Sequence, residues 1–102
     1  MGFFNLFSKK EISFEMAIID VFLINNHGVV VTGKINKGFI QINDKVEIKG
    51  KKYTVIMIDA LVKTGSKTPS QVNCAGEGLE VALHLSTMDS SMISRGNIVI
   101  KR

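Results

Sequence analysis

Residues 28–34 come close to a phosphate-cradling loop. Gly28 is followed by four residues and then Gly33-Lys34, the spacing of G-x-x-x-x-G-K-[ST], in which backbone amides and the lysine hold nucleotide phosphates. The chemistry fails at the next position, where Ile35 replaces the Ser or Thr hydroxyl that would hold magnesium. Val29, Val30, Val31 and Thr32 are β-branched and favour extended backbone, whereas a phosphate cradle is a tight curl of amides opening a helix. Lys37-Gly38 then ends the run in a turn. The stretch therefore reads as a strand, and neither GTP nor any cofactor is expected.

Charge is the second source of chemistry. The 102 residues carry a formal net charge of +4, and residues 34–52 hold Lys34, Lys37, Lys45, Lys49, Lys51 and Lys52 against only Asp44 and Glu47. Lys45, Glu47 and Lys49 alternate with Val46 and Ile48, so one face of a strand is charged and the other apolar. Lys51 and Lys52 follow at its turn. Such a patch attracts phosphates; it is equally the means by which a small β protein stays soluble and guards its edges. With only Tyr53 at its margin, the patch supports weak, sequence-independent RNA contact and not base stacking. The single cysteine, Cys74, has no partner for a disulfide or a metal site and reads as structural, so no metal is expected.

The elements that position these residues are short β runs divided by turns. Residues 14–24 form one run, Asn25-Asn26-His27-Gly28 turns the chain, and residues 29–36 return to make a hairpin. Residues 45–49 and 53–62 make a second hairpin around Gly50-Lys51-Lys52. Residues 63–72 have loop composition, 79–85 read as a strand, 86–94 as a loop and 98–101 as a last strand. Alternation assigns Phe22, Val30 or its neighbours, Val46, Ile48, Ile56, Ile58, Val81 and Leu83 to a core. About six short strands, with no helical period after residue 14, indicate an all-β domain that avoids open edges by closing into a barrel.

At 102 residues and 45% hydrophobic, the chain is sized for one cored domain. The division expected is a leader over residues 1–13 and a barrel over 14–102. In the leader, Phe3, Phe4, Leu6 and Phe7 precede Lys9 and Lys10. Residues 3–10 thus suit either a small membrane-surface anchor or a frayed or capping terminus, and the second is favoured because one or two turns offer little area. No run is long enough to span a bilayer and no secretory signal is present, so a cytoplasmic location is the default.

The order of motifs resembles a known family. The Asp20-Val21-Phe22 step, the glycine before a valine run, Val31-Thr32-Gly33, Lys37-Gly38, Val46-Glu47-Ile48, Ala75-Gly76-Glu77 and Arg95-Gly96 look like domain two of elongation factor Tu and the related translational GTPases. The resemblance covers most of the chain. It implies an antiparallel Greek-key barrel of six to seven strands, in which the stretch around Gly33-Lys34 is a barrel strand. In that family the nucleotide is held by a preceding domain, so the resemblance implies a barrel without the GTPase and without inherited catalysis.

It also implies candidate contacts. In the elongation factor this domain forms part of the cradle for the aminoacylated 3′ end of transfer RNA, and in relatives it touches ribosomal RNA. Glu77 matches the family glutamate beside the terminal adenine. His27 and His84 stand where the elongation factor has arginines, which implies weaker anion binding because a histidine is mostly neutral above a pKa of about 6.5. Each residue has a plain structural alternative. His27 suits an unusual turn backbone, Glu77 an exposed turn, His84 a half-buried position with its ring nitrogens satisfied by backbone, and Arg95 the orientation of a turn.

The functional expectation is a non-enzymatic binding module for RNA of the translation apparatus, with His27, Glu77, His84, Lys34, Lys45, Lys49, Lys51 and Lys52 as candidate contacts. The alternative is a regulatory barrel docking on a partner protein, near a membrane through residues 3–10.

Overall fold

The structure is a computed structural model that describes residues 12–25, 28–61 and 70–102. These form ten strands: β1 (Phe14–Ala17), β2 (Asp20–Ile24), β3 (Gly28–Lys37), β4 (Phe39–Gln41), β5 (Lys45–Ile48), β6 (Lys51–Ala60), β7 (Ser70–Val72), β8 (Cys74–Gly76), β9 (Glu80–Leu85) and β10 (Ile98–Lys101). Six of them close on themselves. Hydrogen-bonded neighbours run β1-β10-β5-β6-β9-β3, and β3 returns to β1 through Glu15↔Lys37 and Met16↔Ile35. Every pairing is antiparallel. The chain crosses the ring between β3 and β5, which stand opposite each other, and so does not run round it as a meander.

Closure depends on the length of β3. Its first part pairs with β2 and β9 while its last residues reach β1. The run expected over residues 14–24 is consequently two strands. At Ile18-Ile19 the chain leaves β10 and joins β3, with Ile18 N–H donating to the Asn97 carbonyl and Ile19 N–H to that of Thr32, 2.9 and 2.8 Å. Outside the ring, β2 adds to β3 and β7 to β6, and β4 pairs with β8 as a separate two-stranded sheet. These short strands at residues 39–41, 70–72 and 74–76 are too brief for periodicity to reveal; residues 62–69 of the expected loop lie outside the described residues.

Gly33 explains the near-motif. It lies inside the corner between β1 and β2, where a Cβ would overlap the Ala17 carbonyl oxygen. A close backbone approach requires the glycine here, not a phosphate. Gly33→Ala is expected to destabilise the barrel by about 1–3 kcal/mol, as overpacking does. Urea unfolding checks this, and an unchanged midpoint would mean that the corner yields freely.

Val46, Ile48, Ile58, Val81 and Leu83 fill the core as alternation requires, and Val29 and Val31 enter from the valine run. Val30 is buried on the opposite face, across from His84. Two expected core residues are corrected. Phe22 is 50% exposed because β2 lies beyond the ring and only Val21 packs against the core. Ile56 is 47% exposed because a bulge between Val55 and Met57 breaks the alternation of β6, turning Val55 and Ile58 inward in its place.

Candidate nucleic-acid interface

The basic surface is built where β10, β5 and the start of β6 lie side by side. Glu47 faces Lys52 on one side and Ile100 on the other, and directly opposed residues share a face. Lys45 is two residues before Glu47 and so points the same way. A groove of about 310 Å³ results, lined by Lys45, Val46, Glu47, Lys52, Ile100, Lys101 and Arg102. Glu47 Oε1 accepts from Arg102 Nε at 3.0 Å. Lys101 Nζ donates to Asp44 Oδ2 at 2.8 Å, and Asp44 Oδ2 also accepts the Gln41 N–H at 2.8 Å. Among the described residues no ion pair engages Lys45 or Lys52. Two unpaired ammonium groups are thus held beside two paired cations.

Lys101 lies next to groove-facing Ile100 but opposes the core residue Phe14, so its side chain leaves on the inner face at the end of the barrel, toward an aromatic ring. Its Nζ lies 4.9 Å from the centroid of Phe39, a cation–π distance, and Phe39 is 52% exposed. Phe39 pairs with Gly76 across β4 and β8, and Glu77 follows in the exposed turn. Lys101 and Arg102 were not legible as site residues, because only the β5–β10 pairing brings their strand beside Lys45, and Phe39 was not, because only its contact with Lys101 links it to that strand. The aromatic expected at the margin of the basic patch, Tyr53, packs against the core, and the cation over Phe39 is Lys101, from outside residues 34–52.

The other expected residues disperse. Lys34 stands on β3, on the far side of the ring from β5, opposite Glu80. Lys49 has φ 52 in the hairpin turn, and Lys51 opposes inward-facing Ile48, so its side chain leaves by the end of the barrel. There it approaches Asp89, whose carboxyl sits below the usual aspartate range mainly because Ser91 donates to it through its backbone N–H and its hydroxyl, with Lys51 adding a smaller attraction. His84 is buried, with Nε2 2.9 Å from Asp59 Oδ2. This pair ties β9 to β6 beside the bulge, so His84 has a structural partner, a carboxylate where backbone was expected. Arg95 pairs with Asp20 at 3.1 Å and secures the last turn. Cys74 is free and exposed on β8. His27 and residues 3–10 lie outside the described residues.

No protein-family signature matches the sequence. Among solved structures, the chain is similar to a bacterial selenocysteine-specific elongation factor, EF-Sec, with TM-score 0.73 and 23% identity over 90% of this chain and 15% of that one. It is also similar to translation elongation factor SelB from Methanococcus maripaludis in its apo form, with TM-score 0.77 and 26% identity over 93% of this chain and 19% of that one. The fold is that of a translation-factor β-barrel. The expected domain-two-like architecture is therefore met, in a chain that spans less than a fifth of the length of either factor. Among the described residues of this translation-factor barrel, no helix is long and apolar enough to cross a membrane, and no group of His, Cys, Asp and Glu is placed to hold a metal ion.

Proposed function

We propose that this barrel is a non-catalytic, cytoplasmic module that binds single-stranded RNA of the translation apparatus. The observation that supports it best is the contact of a half-exposed Phe39 ring with the ammonium of Lys101, on the strand whose outward side forms the groove with Lys45, Lys52 and Arg102. A cationic groove beside an aromatic platform suits a phosphate backbone with a base stacked at one end. In this reading Glu77, which follows Phe39's partner Gly76 in an exposed turn, accepts from an exocyclic amino group of that base. Fluorescence anisotropy with a labelled, 3′-ended single strand at about 50 mM salt tests the reading, since backbone contacts weaken steeply as salt rises. Absence of binding there would end it.

A protein-docking role is the second reading, and β2 favours it. This strand ends the sheet path, and it and the residue before it leave Ile19, Phe22, Leu23 and Ile24 exposed by 39–56%, without the lysines that usually guard an edge. Under that reading, proteins co-purify regardless of ribonuclease and Leu23→Lys releases them.

GTP has no place in either reading. Lys34 lies in a strand and Ile35 is buried in the core, so calorimetry with GTP and magnesium is expected to give no saturable heat. A micromolar affinity abolished by Lys34→Ala would overturn this.

A further inference from the structure

The cation over the aromatic platform is not idle in the free protein. Lys101 is held by Asp44 at 2.8 Å, with side-chain exposures of 18% and 23%, and its ammonium lies over the Phe39 ring. Asp44 is anchored in turn. Its carboxylate accepts the Gln41 N–H, and its backbone bonds to Val55 and Gln41 at 2.9 and 3.1 Å. The carboxylate therefore stays in place whether or not Lys101 does. Lys101 is the member that can move, because its long side chain ends in a compact charge with freely rotating donors.

We infer that Asp44 is a specificity-determining gate: it keeps Lys101 on the Phe39 ring, so that an anionic strand must take Lys101 from Asp44 before a base can use that ring face. This rests on the RNA-binding reading for its ligand, but the gate itself is a property of three residues in the free protein. Its consequence is selectivity. A free phosphate offers Lys101 only an exchange of one anion for another, whereas a strand with a stackable base gains the ring as well. Lys45 and Lys52, which no carboxylate among the described residues engages, supply the first attraction.

Asp44→Asn tests the gate, because the amide oxygen can still accept the Gln41 N–H while the charge is lost. An unchanged urea midpoint would confirm that the turn survives. In the free variant, the Lys101 Hε protons are expected to lose the upfield ring-current shift that Phe39 gives them in the natural protein. Affinity for a labelled eight-nucleotide single-stranded RNA should rise about eightfold at 50 mM salt, the value of one added phosphate contact relative to 1 M salt at roughly 0.7 log units per log unit. The salt slope should steepen by the same 0.7, and Asp44→Asn combined with Lys101→Met should cancel both gains. An Hε shift that survives Asp44→Asn overturns the gate, as does an unchanged affinity where the natural protein binds. If neither protein binds RNA, titration with inorganic phosphate still decides. Movement of Lys101 Hε in Asp44→Asn but not in the natural protein supports the gate while removing its RNA ligand, and no movement in either removes the gate as well.

Discussion

Replacing Phe39 with Ala is expected to weaken binding of a short single-stranded RNA about 5- to 150-fold, with the salt slope unchanged. The magnitude follows from base–aromatic stacking, worth about 1–3 kcal/mol per base. The unchanged slope follows because a ring releases no counterions. Stability should hardly respond. Phe39 is 52% exposed and its strand β4 is fixed mainly by backbone pairing to β8 through Phe39↔Gly76, Ile40↔Ala75 and Gln41↔Cys74, with the buried neighbour Ile40 carrying the packing. Phe39→Leu separates stacking from mere apolar contact: leucine keeps the contact but offers no flat face, so most of the loss should remain. Equal affinity of all three proteins for the strand, measured by anisotropy at about 50 mM salt, would remove Phe39 from the site and with it the best support for an RNA-binding end.

The barrel was legible because its signal is local. The strict alternation of Lys45-Val46-Glu47-Ile48 and the turn residues around Gly28, Gly38 and Gly50 mark strands and hairpins without reference to distant residues. What was not legible is what depends on pairing between distant segments. Nothing within residues 53–60 announces that Ile56 is the extra residue of a bulge, since Tyr53, Val55, Ile56 and Ile58 satisfy two alternation patterns equally well. Nothing around Lys34 shows that ring closure carries it away from Lys45, although the two are close in the chain. Conversely, Lys101 and Arg102 lie far from Lys45 in sequence yet share its groove. Resemblance pointed to Glu77 and His84 together; the structure leaves Glu77 exposed near Phe39 and commits His84 to Asp59.

Separating those lysines gives the second large effect. Lys45→Ala with Lys52→Ala should lower RNA affinity for many sequences alike and flatten the salt dependence by about 1.4 log units per log unit of salt, taking 0.7 for each phosphate on a single strand. At 50 mM salt that corresponds to a loss of about 65-fold relative to the 1 M reference. Lys49→Ala with Lys51→Ala removes the same charge from the same stretch of sequence and serves as the control. If only net charge matters, the two pairs are equivalent. If the groove matters, the control has little effect, because Lys49 occupies the turn and Lys51 lies toward Asp89 at the end of the barrel, while Lys45 and Lys52 line the groove with no carboxylate among the described residues engaging them. The effect on folding should be small for both pairs, since all four side chains are exposed and surface substitutions of this kind stay within about 0.5 kcal/mol. Equal flattening by the two pairs would mean that RNA sees a diffuse positive barrel and not a groove. Flattening by neither would mean that strand binding, if measured at all, uses another face, and the exposed edge of β2 would then be the surface to examine.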